Sequence, residues 1–275
     1  MTSSIEATTP LEELKAKQHQ IWSNGDYSKI AWITVPLAER LRNAIDLRPG
    51  ATVLDVACGT GHVAIEAART FCQVTGIDYV AELVDIARRR AAAEGLTIAF
   101  EVADAESLPF EDSSFDYVVS AIGVMFTADH DRAASELVRV CKPGGTIGLA
   151  NWTAEGFIGR LLKIVGAHVP PPPVALPPTR WGNEDVVREL LGDGVTDLSS
   201  RTHVVPQRFR SPEAFADFML TYYGPTYTAA QRLDEQRRAA FRSDIVALAH
   251  DANRASDGTF VADWEYRVIS AVKAA

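Results

Sequence analysis

The chain has 275 residues, 47% of them apolar and 23% charged, which is enough for a full core in one large α/β domain or one domain with a cap. Its formal net charge of −9 argues against general phosphate-backbone binding, which needs clustered Lys and Arg. Three scattered cysteines without a CxxC pair argue against a disulfide framework or a zinc site, and no apolar run reaches the roughly 18 residues of a membrane-spanning helix.

Residues 1–10 are polar and lack the basic and apolar regions of a signal peptide, so a cytoplasmic protein is expected. Thr8-Thr9-Pro10 ahead of Leu11-Glu12-Glu13 predicts a capped helix running to about residue 22 and broken by Asn24-Gly25-Asp26. A second helix over 27–45 is interrupted near Pro36, with Leu37, Leu41 and Ile45 on one face. From 52 the pattern alternates. Strands are expected at 52–56, 73–78, 97–103, 115–120 and 146–151, and helices at 61–71, 80–94 and 128–141. Arg88-Arg89-Arg90, the one basic cluster, reads as a solvated helix face. Repeated βα units of this length imply a parallel sheet with helices on both faces. Beyond Trp152 the regularity loosens. Helices are expected at 157–168, 183–191, 212–222 and 229–252, with stiff proline links at 170–173 and 177–178 and strands at 202–209 and 259–271.

The chemistry concentrates on Val53-Leu54-Asp55-Val56-Ala57-Cys58-Gly59-Thr60-Gly61-His62-Val63-Ala64, a strand, a glycine turn and a helix start. That order presents backbone N–H groups and a helix N-terminus at the carboxyl edge of a sheet, where ligands bind in open α/β folds. Gly59-x-Gly61 with Ala64 alone fits either a plain tight turn or a dinucleotide site. Three acids at successive strand ends sharpen it. Asp55 precedes the glycines, Asp78 can accept from two ribose hydroxyls, and Asp104 can accept from an adenine amino group beside Tyr79.

With these residues in place the sequence resembles the class I S-adenosylmethionine-dependent methyltransferases, particularly the group that includes ubiquinone/menaquinone biosynthesis enzymes. Further matches are Gly76-Ile77-Asp78, Ala103-Asp104-Ala105, the stretch from Leu108-Pro109-Phe110 to Phe115-Asp116, and Arg139-Val140-Cys141-Lys142-Pro143-Gly144-Gly145. The resemblance covers about residues 50–151 and implies a Rossmann-like, doubly wound seven-stranded α/β sheet, mostly parallel, with an antiparallel last strand at 259–271. It implies S-adenosylmethionine as cofactor. Asp55, Ala57, Gly59 and Gly61, with Thr60 between the glycines, would line its methionine and ribose end. Asp78 would bind the ribose, Asp104 and Ala105 would meet the adenine, and Ser120 and Ile122 would flank the sulfonium. Residues 20–27 would form a lid carrying Trp22 and Tyr27, with Tyr27 reaching the donor carboxylate. Cys58 stands where a small Gly or Ala is common and is read as an apolar filler.

The whole chain then forms one domain: lid helices at 1–47, a donor-binding core at 48–152, a variable substrate cap at 153–258 and a final strand at 259–275. No metal and no catalytic base is assigned. The acceptor surface is sought among Met125, Phe126, His130, Trp152 and Trp181, whose aromatic content points to an apolar or aromatic small molecule rather than nucleic acid. The rival readings are an NAD(P)-dependent oxidoreductase, favoured only by the glycine spacing and lacking a Tyr-x-x-x-Lys pair, and a non-catalytic protein that binds S-adenosylmethionine.

Overall fold

The computed structural model describes residues 9–275. Residues 1–8 of the polar N-terminal stretch, Thr8 included, lie outside the described residues. Helix α1 (Pro10–Ser23) opens on a reciprocal cap, in which the Thr9 hydroxyl accepts from the Glu12 N–H and the Glu12 carboxylate accepts from the Thr9 N–H. The helix expected over 27–45 is split into α2 (Tyr27–Ala31), a tight turn at Trp32–Thr34 and α3 (Val35–Ala44). Pro36 has no N–H to continue a helix but suits a first turn, so the new helix starts around it. Leu37 and Leu41 are fully buried beneath α3, as their spacing predicts.

The alternating region follows as β1 (Thr52–Val56), α4 (His62–Arg69), β2 (Gln73–Asp78), α5 (Ala81–Ala93), β3 (Ala99–Val102), β4 (Phe115–Ala121), α6 (His130–Val140) and β5 (Cys141–Trp152). The remaining elements are α7 (Phe157–His168), α8 (Glu184–Leu191), β6 (Val195–Phe209), α9 (Pro212–Tyr222), α10 (Gly224–Gln231), α11 (Glu235–Ala252) and β7 (Phe260–Lys273). One seven-stranded sheet results, in the order β3-β2-β1-β4-β5-β7-β6. β7 inserts antiparallel to both β5 and β6, and the first five strands pair in parallel. The fold is therefore the Rossmann-like one implied by the resemblance.

Three details differ from the expected elements. β6 begins at Val195, seven residues before the expected strand, because it pairs with β7 along nearly its whole length. The helix expected over 229–252 breaks after Gln231, where Asp234 accepts from the Arg237 N–H and starts α11 afresh. The fifth strand starts at Cys141 rather than 146. Its pairing with β4 is irregular there and accommodates Pro143-Gly144-Gly145, with Gly144 at φ +73°. Lys142 closes this end of the sheet: its Nζ donates to Asp116 at 2.8 Å, and Asp116 accepts from the Thr52 N–H at 2.8 Å. These bonds hold the Asp116 carboxyl down to about 2. The lysine–proline–glycine motif therefore lies at the amino edge of β1 and β4, opposite the carboxyl edge where the glycine turn lies, and its role is structural.

The core continues without a break from the sheet into the C-terminal helices. Trp264 on β7 stacks on Phe157 of α7, with ring centroids 5.4 Å apart, and Phe215 and Phe260 close the same cluster.

Candidate functional site: the cleft over the glycine turn

The carboxyl ends of β1, β2 and β4 open into a cleft of about 910 Å³, partly open to solvent and roofed by α1 and α2. Its floor is the glycine turn. Ala57, Gly59 and Gly61 all take positive φ (54°, 54° and 81°), which folds the chain tightly between β1 and α4. Ala57 and Ile122 accept this geometry without being glycine. For the β-branched Ile122, at φ 69°, it is a strained conformation. Gly123 lets the loop after β4 press onto that turn, since a Cβ there would stand 2.3 Å from the Ala57 carbonyl oxygen.

Two carboxylates organise the floor. Asp78 accepts from the Gly59 N–H and the Val80 N–H, each at 2.9 Å, and so ties the glycine turn to the end of β2. Asp55 accepts from the Ala64 N–H at 2.8 Å, which satisfies one free donor in the first turn of α4. Its other oxygen is buried and unpartnered. Burial, opposed by the Ala64 bond and reinforced by the nearby Asp78, pushes Asp55 up to about 8. Burial likewise raises Asp78, to about 6, against the pull of its two N–H donors. Two buried acids with one open oxygen make this floor a receptor for positive charge.

His62, in the first turn of α4, lines the same cleft. The Arg90 guanidinium donates to its Nδ1 at 2.9 Å, so the neutral ring carries its proton on Nε2. Burial and that cation push His62 down to about 3. With its basic nitrogen covered, it is no general base.

The roof is aromatic above the glycine turn and charged above the third strand. Trp22 packs edge-on against Tyr27, Phe126 and Tyr223 at centroid distances of 5.6, 4.6 and 6.0 Å. The Tyr27 ring covers Gly59. Lys15 on α1 reaches Asp104 at 2.6 Å and Glu106 at 2.5 Å. Glu106 in turn accepts from the Ala128 N–H, at 2.7 Å, just ahead of α6. Asp104 also accepts from the Glu106 N–H at 2.9 Å.

Of the residues expected at the donor site, Trp22, Tyr27, Asp55, Ala57, Gly59, Thr60, Asp78, Tyr79, Asp104, Ala105 and Ile122 line this one cleft. Gly61 and Ser120 do not line it. Gly61 is pressed against Ala87 and Phe100, and Ser120 is buried, donating to the Val56 carbonyl and accepting from the Val124 N–H. Of the residues expected to meet the acceptor, Phe126 lines the cleft. Met125, Trp152 and Trp181 belong to the core, and His130 is buried with its ring against Trp181. His62, part of the glycine-turn stretch, lines the cleft too, and Lys15, Gln18 and Glu106 line it without having been expected there. Lys15, Gln18 and Trp22 share one face of α1 by spacing, a signal that was present in the sequence. Glu106 lies in a loop and left no such signal. Among the described residues no group of three His, Cys, Asp or Glu side chains is arranged to hold a metal ion.

The sheet order and this cleft together define a Rossmann-like α/β fold with an acidic and aromatic cleft at the carboxyl ends of its central strands. Residues 53–145 match the methyltransferase domain family. An uncharacterized protein of Mycobacterium tuberculosis is 42% identical over 271 residues, covering 96% of this chain and 98% of that protein. The demethylmenaquinone methyltransferase of Deinococcus radiodurans is 42% identical over 123 residues, covering 43% of this chain and 51% of that one. A solved structure of Haemonchus contortus phosphoethanolamine N-methyltransferase 2 in complex with S-adenosyl-L-methionine has the same fold, at a TM-score of 0.59 and 18% identity over 98% of this chain and 61% of that one. The chain belongs to the class I S-adenosylmethionine-dependent methyltransferases. No helix among the described residues is long and apolar enough to cross a membrane.

Proposed function

We propose that the enzyme transfers the methyl group of S-adenosylmethionine to a small apolar or aromatic acceptor by in-line displacement, within the cleft over the glycine turn. The observation that carries this reading is the pairing of two buried carboxylates, one with a free oxygen, with an aromatic roof on the same cleft. The fit to a cationic donor is chemical. The open Asp55 oxygen is an acceptor for a donor ammonium, and each Asp78 oxygen keeps a second lone pair for a ribose hydroxyl. S-adenosylmethionine supplies a methyl group on a sulfonium, so the protein's task is to bind, align and exclude water.

The residues divide that task. The glycine turn presents its backbone closely, Tyr79 and Ala105 flank the adenine end, and Asp104 accepts from the adenine amino group once it shares or releases Lys15. Trp22, Tyr27 and Phe126 form the water-excluding wall against which a flat acceptor packs. Because the basic nitrogen of His62 is occupied and His130 lies in the core, the reading assigns no histidine base. It favours acceptors whose nucleophile needs none or ionises by itself.

Calorimetric titration with S-adenosylmethionine, S-adenosylhomocysteine and NAD is the first test. Binding of both sulfur compounds and not of NAD is expected, and binding of NAD alone would overturn the donor assignment. A panel of phenols, amines and thiols, scored by release of S-adenosylhomocysteine, tests the acceptor class. A protein that stays silent with every small molecule but methylates a macromolecule would refute it.

A further inference from the structure

A second groove lies away from the donor cleft, between α3 and the β6–β7 edge of the sheet. Strand alternation places Ser199, Arg201 and His203 on one face of β6, opposite Ser270, Val268 and Tyr266 of β7. Arg40 and Asn43 face them from α3, across a solvent-open space of about 780 Å³. Every polar side chain lining this space is a donor or can act as one, and no carboxylate lines it.

Neighbouring arginines are committed elsewhere. Arg42 pairs with Glu66 at 2.8 Å, and Arg267 lies 3.6 Å from Glu184. Arg40 and Arg201 make no ion pair among the described residues; burial first, and then these two cations, push the His203 imidazole below its ordinary range. Three basic groups from two elements therefore converge on one concavity, in a chain whose net charge is −9. Arg201 stands on the edge strand β6, and with Arg40 of α3 it lines one space, so two guanidinium charges crowd there until an anion enters.

We infer that this groove is a binding site for a phosphate-type oxyanion, either free or as the head group of a small molecule. Two guanidiniums offer the planar donor forks that match tetrahedral oxyanions. Asn43, Ser199 and Ser270 supply further hydrogen bonds, and Val268 gives the groove an apolar floor. The groups facing His203 are Arg201 on its own strand, Tyr266 on β7 and Arg40 on α3. A bound dianion reverses the field at His203, so binding takes up a proton there.

Inorganic phosphate and sulfate, titrated at fixed ionic strength and followed by the NMR signals of the His203 ring, test the site. Saturable shifts are expected with both anions and not with chloride. Arg40→Gln and Arg201→Gln should each weaken binding about tenfold or more, the scale of a charge-assisted contact. Both side chains are exposed and lie outside the donor cleft, so each variant should fold and bind S-adenosylmethionine as the parent does. Sulfate keeps its charge across this range, and it should bind more tightly at pH 6 than at pH 8, a difference that His203→Ala abolishes. A phosphate ester that outcompetes free phosphate would identify a head group as the ligand, and equal affinity would point to the free ion. Shifts that do not saturate, an equal response to chloride, or unchanged affinity in Arg201→Gln would overturn the inference. Because donor binding is measured separately, a failure here is distinct from a failure of the methyl-transfer reading.

Discussion

Asp78 holds the loop, and in the proposed function it serves the donor ribose as well. Its two oxygens take the Gly59 and Val80 N–H groups, so the carboxylate fixes the turn before any donor arrives. Asp78→Ala should weaken S-adenosylmethionine binding by about 1.5–3 kcal/mol, the scale of hydrogen bonds to a charged group. Calorimetry on the folded variant checks this, and an unchanged affinity would refute the ribose assignment. Asp55 gives a pH signature. Its folded pKa of about 8 lies above the ordinary 3.8, so between those values the folded state binds more protons than the unfolded chain. Stability without donor is therefore greatest below about pH 4 as far as this group is concerned, and it falls as pH rises towards 8. Asp55→Asn can still accept from the Ala64 N–H while losing the charge. Its urea midpoint should decline less between pH 5 and pH 8 than that of the parent. Parallel declines in both proteins would place the titration elsewhere.

Helix α1 is the element that turns an open sheet edge into a cleft. Besides the Trp22 ring contacts and the approach of His19 Nε2 to the Tyr79 carbonyl at 3.2 Å, two contacts hold it to the rest. Lys15 bridges Asp104 and Glu106, and Gly224 at the start of α10 lets the Ile21 carbonyl approach so closely that a Cβ would stand 2.4 Å away. The Lys15 pairs are part-exposed and contribute modestly, whereas the glycine contact is a steric condition for docking. Gly224→Ala should therefore lift the helix. We expect faster amide exchange over residues 10–23 and weaker donor binding, with exchange in β1, β4 and β5 unchanged. Exchange that accelerates equally in the central strands would mean that the substitution loosens the whole fold instead. The glycine turn, by contrast, is built from contiguous chain: strand, turn and helix follow within about a dozen residues, and their order alone sets the geometry.

On the scale of the whole molecule, β7 joins the C-terminal half to the donor-binding sheet. It pairs with β5 on one side and β6 on the other, and Trp264 carries the packing against α7 and α9. Trp264→Ala should cost about 3–5 kcal/mol, as for other large-to-small changes at fully buried aromatics. Urea unfolding measures this. Since Trp264 does not line the cleft, the folded fraction should bind donor with the parent's affinity, and a selective loss of donor binding would contradict the separation of core and site. The strands and most helices were legible because each follows from local period and punctuation, such as the apolar run at 52–56, the N-cap Ser211 ahead of Pro212, and the spacing of Leu37 and Leu41. The break before Asp234 was not legible, because the helical pattern runs through it. Nor was the interior position of Met125, His130, Trp152 and Trp181, since an aromatic stripe looks the same whether it faces a ligand or a core. The sequence by itself determined that Asp55, Asp78 and Asp104 share one cleft, because three strand ends and one glycine turn bring their acids together by βα topology. The tertiary structure alone decided that α1 closes over them through Lys15, that His62 has no free base, and that Arg40 and Arg201 meet across a groove. Each of these depends on contacts between residues far apart in the chain, and no local pattern encodes them.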